Sequence, residues 1–182
     1  MIVCVTGTPA AGKSSVGKVL SHMGFKIYEL GDIVRRMMRD KEIALTPESD
    51  RKFTIWLRKS HGRLVTVRKL ASEVDLSRGR NIAIIGVRSK PELDYIRKKG
   101  KTVAIAIIAP SRLRFQRMRK RGRADAQKTY ADFVKRDKKE ERFGLWGAIE
   151  SADYVISGTS TIPQLTKEVR QIVRLASQSK AF

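Results

Sequence analysis

Gly7-Thr8-Pro9-Ala10-Ala11-Gly12-Lys13-Ser14 is the stretch that decides the fold. It fits G-x-x-x-x-G-K-[ST], in which each fixed residue has a task at a phosphate. The glycines admit backbone angles at which successive N–H groups converge on phosphate oxygens. The lysine reaches the outer phosphates, and the hydroxyl beside it is placed for Mg2+. The motif needs a strand before it and a helix after it, because the helix N-terminus adds partial positive charge. Ile2-Val3-Cys4-Val5-Thr6 is an apolar, β-branched run suited to a strand buried on both faces, and residues 13–23 read as a helix stopped near Gly24. The expected ATP-binding residues are Gly7, Thr8, Pro9, Ala10, Ala11, Gly12, Lys13, Ser14 and Ser15, with Ser14 also a Mg2+ ligand.

Working outward, strands and helices keep alternating. Residues 25–30, 82–85, 102–109 and 153–156 read as further strands, the third following a turn at Arg78-Gly79-Arg80-Asn81. Helices are expected over residues 32–40, from Thr46-Pro47-Glu48 onward, and over 91–99, 111–121 and 162–176. After the helix at 111–121 a polar segment runs to about Gly144. Five apolar strands between helices predict an α/β, three-layer domain on a largely parallel five-stranded sheet. The chain shows no internal repeat and no low-complexity linker, so 182 residues are read as one domain. In such sheets ligands bind outside the carboxyl ends of the strands.

Composition removes several classes of protein. The single cysteine, Cys4, has no internal partner for a disulfide, which fits a reducing cytosol. No apolar run approaches the ~18–20 residues of a membrane span, and the apolar N-terminus lacks a basic leader. A cytoplasmic location without membrane contact is therefore expected. His22 and His61 have no cysteine or histidine neighbours at metal-ligand spacing. His22 is expected on the first helix surface, His61 at a helix end, and Cys4 in the core.

Beyond the phosphate loop, the chain carries Gly31-Asp32-Ile33-Val34-Arg35 and Gly86-Val87-Arg88-Ser89. Arg119-Lys120-Arg121-Gly122-Arg123, Lys135-Arg136-Asp137 and Ala152-Asp153-Tyr154 follow. In this order they resemble nucleotide-kinase-like P-loop proteins. The resemblance is to an archaeal family described as adenylate-kinase-related or dephospho-coenzyme-A-kinase-like, in the nucleoside-monophosphate-kinase superfamily. It spans residues 1–176 and implies an acceptor-binding helical insertion over about residues 32–75 and a lid over about 111–144. Position by position, it implies that Asp32, Arg35 and Arg88 bind a nucleotide-like acceptor. It also implies that Arg119, Arg123 and Arg136 close over the transferring phosphoryl group. Arginines suit this chemistry, because phosphoryl transfer needs charge stabilised on equatorial oxygens and guanidinium forks grip phosphate bidentately.

One departure matters. The family's third strand ends in an aspartate that supports Mg2+, and here the position is Ile85. Either Asp32 supplies the missing catalytic and metal-binding acid, or the protein binds nucleotide and turns it over weakly.

The net charge, +21 from 39 basic and 18 acidic residues, falls largely on two segments. Residues 111–142 are net +8 and residues 32–69 net +6, so fourteen of the excess charges lie on the expected lid and insertion. They read either as a solvated basic surface or as a grip on a polyanion, most simply RNA. Phe115, Tyr130, Phe133 and Trp146 either stack bases or anchor the lid to the core. Glu140 and Glu141 read as solvated helix charges, and Trp56 as core of the insertion. Three functions stay open: a Mg2+-dependent kinase moving the ATP γ-phosphate to a nucleotide-like acceptor, an RNA-associated ATPase or RNA end kinase, and a nucleotide-binding regulator.

Overall fold

Residues 1–77, 81–122, 126–142 and 144–178 are described by a computed structural model. The apolar runs become five parallel strands: β1 (Ile2–Gly7), β2 (Lys26–Glu29), β3 (Ile82–Val87), β4 (Thr102–Ile108) and β5 (Tyr154–Ser157). Their order across the sheet is β2-β3-β1-β4-β5, which puts β1 at the centre and the phosphate loop over the middle of the sheet edge. All of β1 is buried, as its unbroken apolar sequence requires.

Alternation along the strands builds two cores. Val3, Val5, Ile85, Ile105 and Ile107 face α1 (Lys13–His22) and α9 (Ile162–Gln178), which bury Val16, Leu20, Val169 and Ile172. Ile2, Cys4, Ile82, Ile84 and Ala104 face the other way. They meet α2 (Leu30–Arg39), α4 (Val65–Glu73) and α5 (Lys90–Arg97) through Leu30, Ile33, Val67, Leu70, Leu93 and Ile96. The three expected layers are therefore present. Between β2 and β3, α3 (Pro47–His61) packs Phe53 and Leu57 on Val34 and Met38 of α2. Thr46 caps α3 by a reciprocal capping box with Ser49, and Pro47 occupies its first turn.

Several boundaries moved. Strand β2 stops at Glu29, and α2 starts at Leu30 rather than at Asp32, because Leu30 is already buried against the sheet. Helix α4 was not foreseen. The polar segment expected after α6 (Ser111–Arg121) contains a helix, α7 (Tyr130–Arg142), and a further short helix, α8 (Leu145–Glu150), follows it. Trp56 is not core: it is 44 % exposed, lying against Phe53 and His61 with the Lys41 ammonium over its ring. His22 is exposed and its Nδ1 lies 2.8 Å from the Lys18 carbonyl, and Cys4 is buried, both as expected. The turn at Arg78-Gly79-Arg80 lies outside the described residues. Among the described residues no helix is long and apolar enough to cross a membrane.

Candidate active site

The phosphate loop hangs between β1 and α1, and its glycines are there for geometry. Gly7 has φ +133°, and a Cβ on it would overlap the Ile107 carbonyl oxygen on β4. Gly12 has φ +125°, and its Cβ would meet the Ile107 side chain at 2.9 Å. Ala10 also adopts a positive φ, 60°, so the loop holds its shape with an alanine in the left-handed region. Lys13 at the start of α1 donates from Nζ to the carbonyls of Gly7 (2.7 Å) and Thr8 (2.9 Å), folding back over its own loop. Burial, reinforced by the nearby Arg88 guanidinium, pulls its ammonium down to about 7. The Thr8 hydroxyl is buried without a hydrogen-bond partner. A polar atom left unsatisfied inside a cationic loop fits an anion that would complete it.

In front of the loop lies a cleft lined by Gly7, Pro9, Ala10, Gly12, Lys13 and Ser14 on one side. Glu29, Gly31, Arg35, Ile85, Arg88, Arg121, Arg136 and Glu140 line it on the others. The structure thus brings Lys13, Ser14, Arg35, Arg88 and Arg136 to one space. Each arginine comes from a different element: Arg35 from α2, Arg88 from the end of β3, Arg136 from α7. Two of the expected catalytic and acceptor residues are not brought there, and Ala11 and Ser15 of the loop line the neighbouring hollow instead. Arg119 is exposed on α6 and donates to the Lys128 carbonyl at 3.1 Å. Asp32, on the first turn of α2, is not in the lining; its carboxylate is 66 % exposed and pairs with Arg35. Arg123 lies outside the described residues.

The acids of the cleft are others. Glu29 ends β2 and stands in register with Ile85 of β3. It is the carboxylate at the strand's carboxyl end, where an α/β sheet presents its chemistry. It sits 3.8 Å from Arg35. Glu140, expected as a solvated charge, is 5 % exposed and accepts from Arg88 Nη1 at 3.2 Å. Ile85 itself is 3 % exposed and packs in the apolar cluster beneath α1, where Gly17 leaves room for it. A carboxylate at 85 would enter that apolar layer, so the departure from the family pattern is matched by its surroundings. Among the described residues no three acids, histidines or cysteines cluster to hold a metal. The residues present fit Mg2+ bound chiefly through phosphate oxygens and water, with the Ser14 hydroxyl as protein donor.

Helices α6 and α7 fasten the loop from above. Arg114, 5 % exposed, donates from Nε to the Ala109 carbonyl (2.9 Å). Its Nη1 donates to the Pro9 carbonyl (3.2 Å) and to Asp137 Oδ1 (2.8 Å). Its guanidinium lies over the Phe133 ring. Phe115, Tyr130 and the fully buried Phe133 pack together with centroids 5.5–6.4 Å apart, so they anchor α7 to α6. Trp146 is 46 % exposed. On the far side of the loop a second hollow of about 300 Å3 is lined by Gly12, Ser15, Arg117, Lys120, Gly158 and Ile162. Arg117 spans it, donating to the Gly158 carbonyl at 2.7 Å and the Ala11 carbonyl at 3.3 Å. A Cβ on Gly158 would overlap the Ala11 carbonyl, which is why a glycine stands there.

The sequence model of the family described as an AAA domain matches residues 3–144. A UPF0200 protein of Hyperthermus butylicus is 35 % identical over 179 residues, covering 98 % of this chain and 96 % of that protein. A UPF0200 protein of Thermococcus kodakarensis is 36 % identical over 178 residues, covering 95 % and 96 %. Among solved structures, shikimate kinase from Aquifex aeolicus superposes with a TM-score of 0.58 at 15 % identity, covering 99 % of this chain and 100 % of its own. A gluconokinase from Sinorhizobium meliloti superposes with a TM-score of 0.61 at 14 % identity, covering 96 % and 93 %. At these identities the likeness is one of fold, a kinase-type P-loop α/β layer.

Proposed function

The chain belongs to the AAA-domain family and to the archaeal UPF0200 group, and from that premise we propose that it is a Mg2+-dependent phosphotransferase that moves the γ-phosphate of ATP to a nucleotide-like acceptor. One observation carries the reading: Lys13, Arg35, Arg88, Arg121 and Arg136, from α1, α2, the turn after β3, α6 and α7, converge on one cleft against the phosphate loop. Five cations on a mere solvated surface would spread apart. Held together, they suit two anions meeting end to end. In this assignment the loop and Ser14 hold the ATP phosphates and Mg2+, which neutralises charge on them. The hollow beside Arg117 takes the base and ribose. Arg35 and Arg88 hold the acceptor's phosphate. Arg136 reaches the transferring group, and Glu29, rather than Asp32, is the acid beside it. Helices α2–α4 form the acceptor wall and α6–α7 the lid.

The test is a labelled-ATP transfer screen over nucleoside monophosphates, dephospho-coenzyme A and 5′-hydroxyl RNA, with a no-acceptor control. Transfer to one of the nucleotides, with the acceptor KM raised about tenfold or more in Arg35→Ala and ATP binding unchanged, supports the assignment. Transfer to RNA alone moves the protein to the end kinases. ATP binding with no transfer to any acceptor overturns the phosphotransferase reading in favour of a nucleotide-binding regulator.

A further inference from the structure

Glu92 is 0 % exposed, unusual for a carboxylate, and the proposed chemistry gives it no role. It occupies the third position of α5, after the N-cap Ser89, whose side chain accepts from the Glu92 N–H. A glutamate there commonly turns back to the N-cap backbone N–H and closes a capping box. Glu92 reaches one residue further. Its Oε2 accepts from the backbone N–H of Arg88 at 2.7 Å. Its Oε1 accepts from the Thr66 hydroxyl on α4 at 3.0 Å and lies 3.8 Å from Arg58 Nη2 on α3. Capping alone is served by an exposed acid. A buried acid joined to a buried arginine carries a desolvation cost that capping does not offset.

We propose that Glu92 is a positioning residue that sets Arg88 for an acceptor phosphate and ties that setting to helices α3 and α4. This rests on the reading of Arg88 as an acceptor-phosphate ligand. The N–H that Glu92 grips belongs to the same residue whose guanidinium enters the cleft, so the carboxylate fixes where that side chain departs from β3. Its other oxygen is held by α3 and α4. A displacement of those helices therefore reaches Arg88 through one carboxylate, without any contact between them and the phosphate. Arg58 feels the coupling too: burial and then Arg88 pull its guanidinium below the usual arginine range, while Glu92 opposes them.

The experiment loads the full chain with Mg2+ and a non-hydrolysable ATP analogue, then titrates inorganic phosphate as the acceptor-site probe. Glu92→Gln is expected to weaken phosphate binding about tenfold, the worth of one charged hydrogen bond, with the analogue's Kd unchanged. Arg88→Ala is expected to lose at least as much, and the double variant no more than Arg88→Ala alone, because Glu92 acts through Arg88. Thr66→Val, which keeps volume and removes one anchor, gives a smaller loss in the same direction and stands in if Glu92→Gln does not fold. Phosphate binding unchanged in Glu92→Gln or Thr66→Val overturns the positioning role alone. A loss additive with Arg88→Ala overturns it as well. Wild-type protein that takes up the analogue but no phosphate overturns the Arg88 reading and the proposal together.

Discussion

Lys13 shows how burial tunes a single residue for its ligand. Its ammonium is drawn from 10.5 to about 7 by burial and then by Arg88, and it holds two carbonyls of its own loop. Near neutral pH the lysine is therefore poised between charged and neutral. A phosphate beside it restores the charge, so nucleotide binding must take up a proton. At about pH 8 the free lysine is mostly neutral and the bound one mostly charged, so close to ~1 proton should be taken up per ATP analogue. Calorimetry in buffers of different ionisation enthalpy measures this. Lys13→Met should abolish it, and no uptake by wild-type protein would mean Lys13 is charged before the ligand arrives. The sign for folding follows. Between about 7 and 10.5 the unfolded chain holds a proton that the folded chain has released. Lys13's contribution to stability therefore rises with pH across that window and is smallest below 7.

At the scale of elements, what the sequence made legible is apolar patterning and helix-start chemistry. The five strands read out as β-branched runs, α1, α2, α5, α6 and α9 as helical stretches, and α3 through its Thr46-Pro47 start. Helix α7 did not, because its inward face is charged: Phe133, Arg136, Asp137 and Glu140 share one side at spacings of three, four and seven residues. Only Phe133 gives a hydrophobic signal, so the helix itself hid inside a polar segment although Arg136 stood out as a motif position. The candidate site divides the same way. The phosphate loop, Arg35, Arg88 and Arg136 were legible as motif positions, whereas Glu29, Glu92, Glu140 and Arg114 take their meaning from partners 23 to 105 residues distant or across a strand register. Glu29 lay unmarked within the run read as a strand over 25–30, and only the structure ends β2 on it. The clamp on α7 makes its own prediction. Arg114→Leu leaves the Asp137 carboxylate part-buried without its cation, and should cost about 3 kcal/mol in denaturant unfolding. It also removes the donor to the Pro9 carbonyl, so binding of the ATP analogue should weaken. Adding Asp137→Leu should recover most of the stability but not the binding. If the double variant recovers both, the clamp holds α7 alone and not the loop.

For the whole molecule, the question is what a net charge of +21 does to a domain of 182 residues. The fold draws acids inward: Glu92, Asp137 and Glu140 are paired to Arg58, Arg114 and Arg88. Each acid used there is one fewer on the surface, which keeps its excess of lysine and arginine. Two effects then compete as salt is added. Screening weakens exposed ion pairs such as Lys52–Glu48, which contribute little to begin with. Screening also relieves the repulsion of the whole charge, whose separations compare with a radius of gyration of about 16 Å for this length. With a Debye length falling from ~14 Å to ~4 Å between about 0.05 and 0.5 M salt, the repulsion is the larger quantity to be lost. The thermal midpoint should therefore rise with sodium chloride, by about 2–4 °C for each kcal/mol of repulsion relieved. Potassium phosphate at equal ionic strength should raise it further, because phosphate also binds the folded cleft and not the unfolded chain. Arg88→Ala should shrink that extra increment and leave the chloride response intact. A midpoint that falls with chloride would mean the surface ion pairs outweigh the repulsion. Equal midpoints in the two salts would mean that the excess charge is a diffuse surface property and that the cleft holds no phosphate.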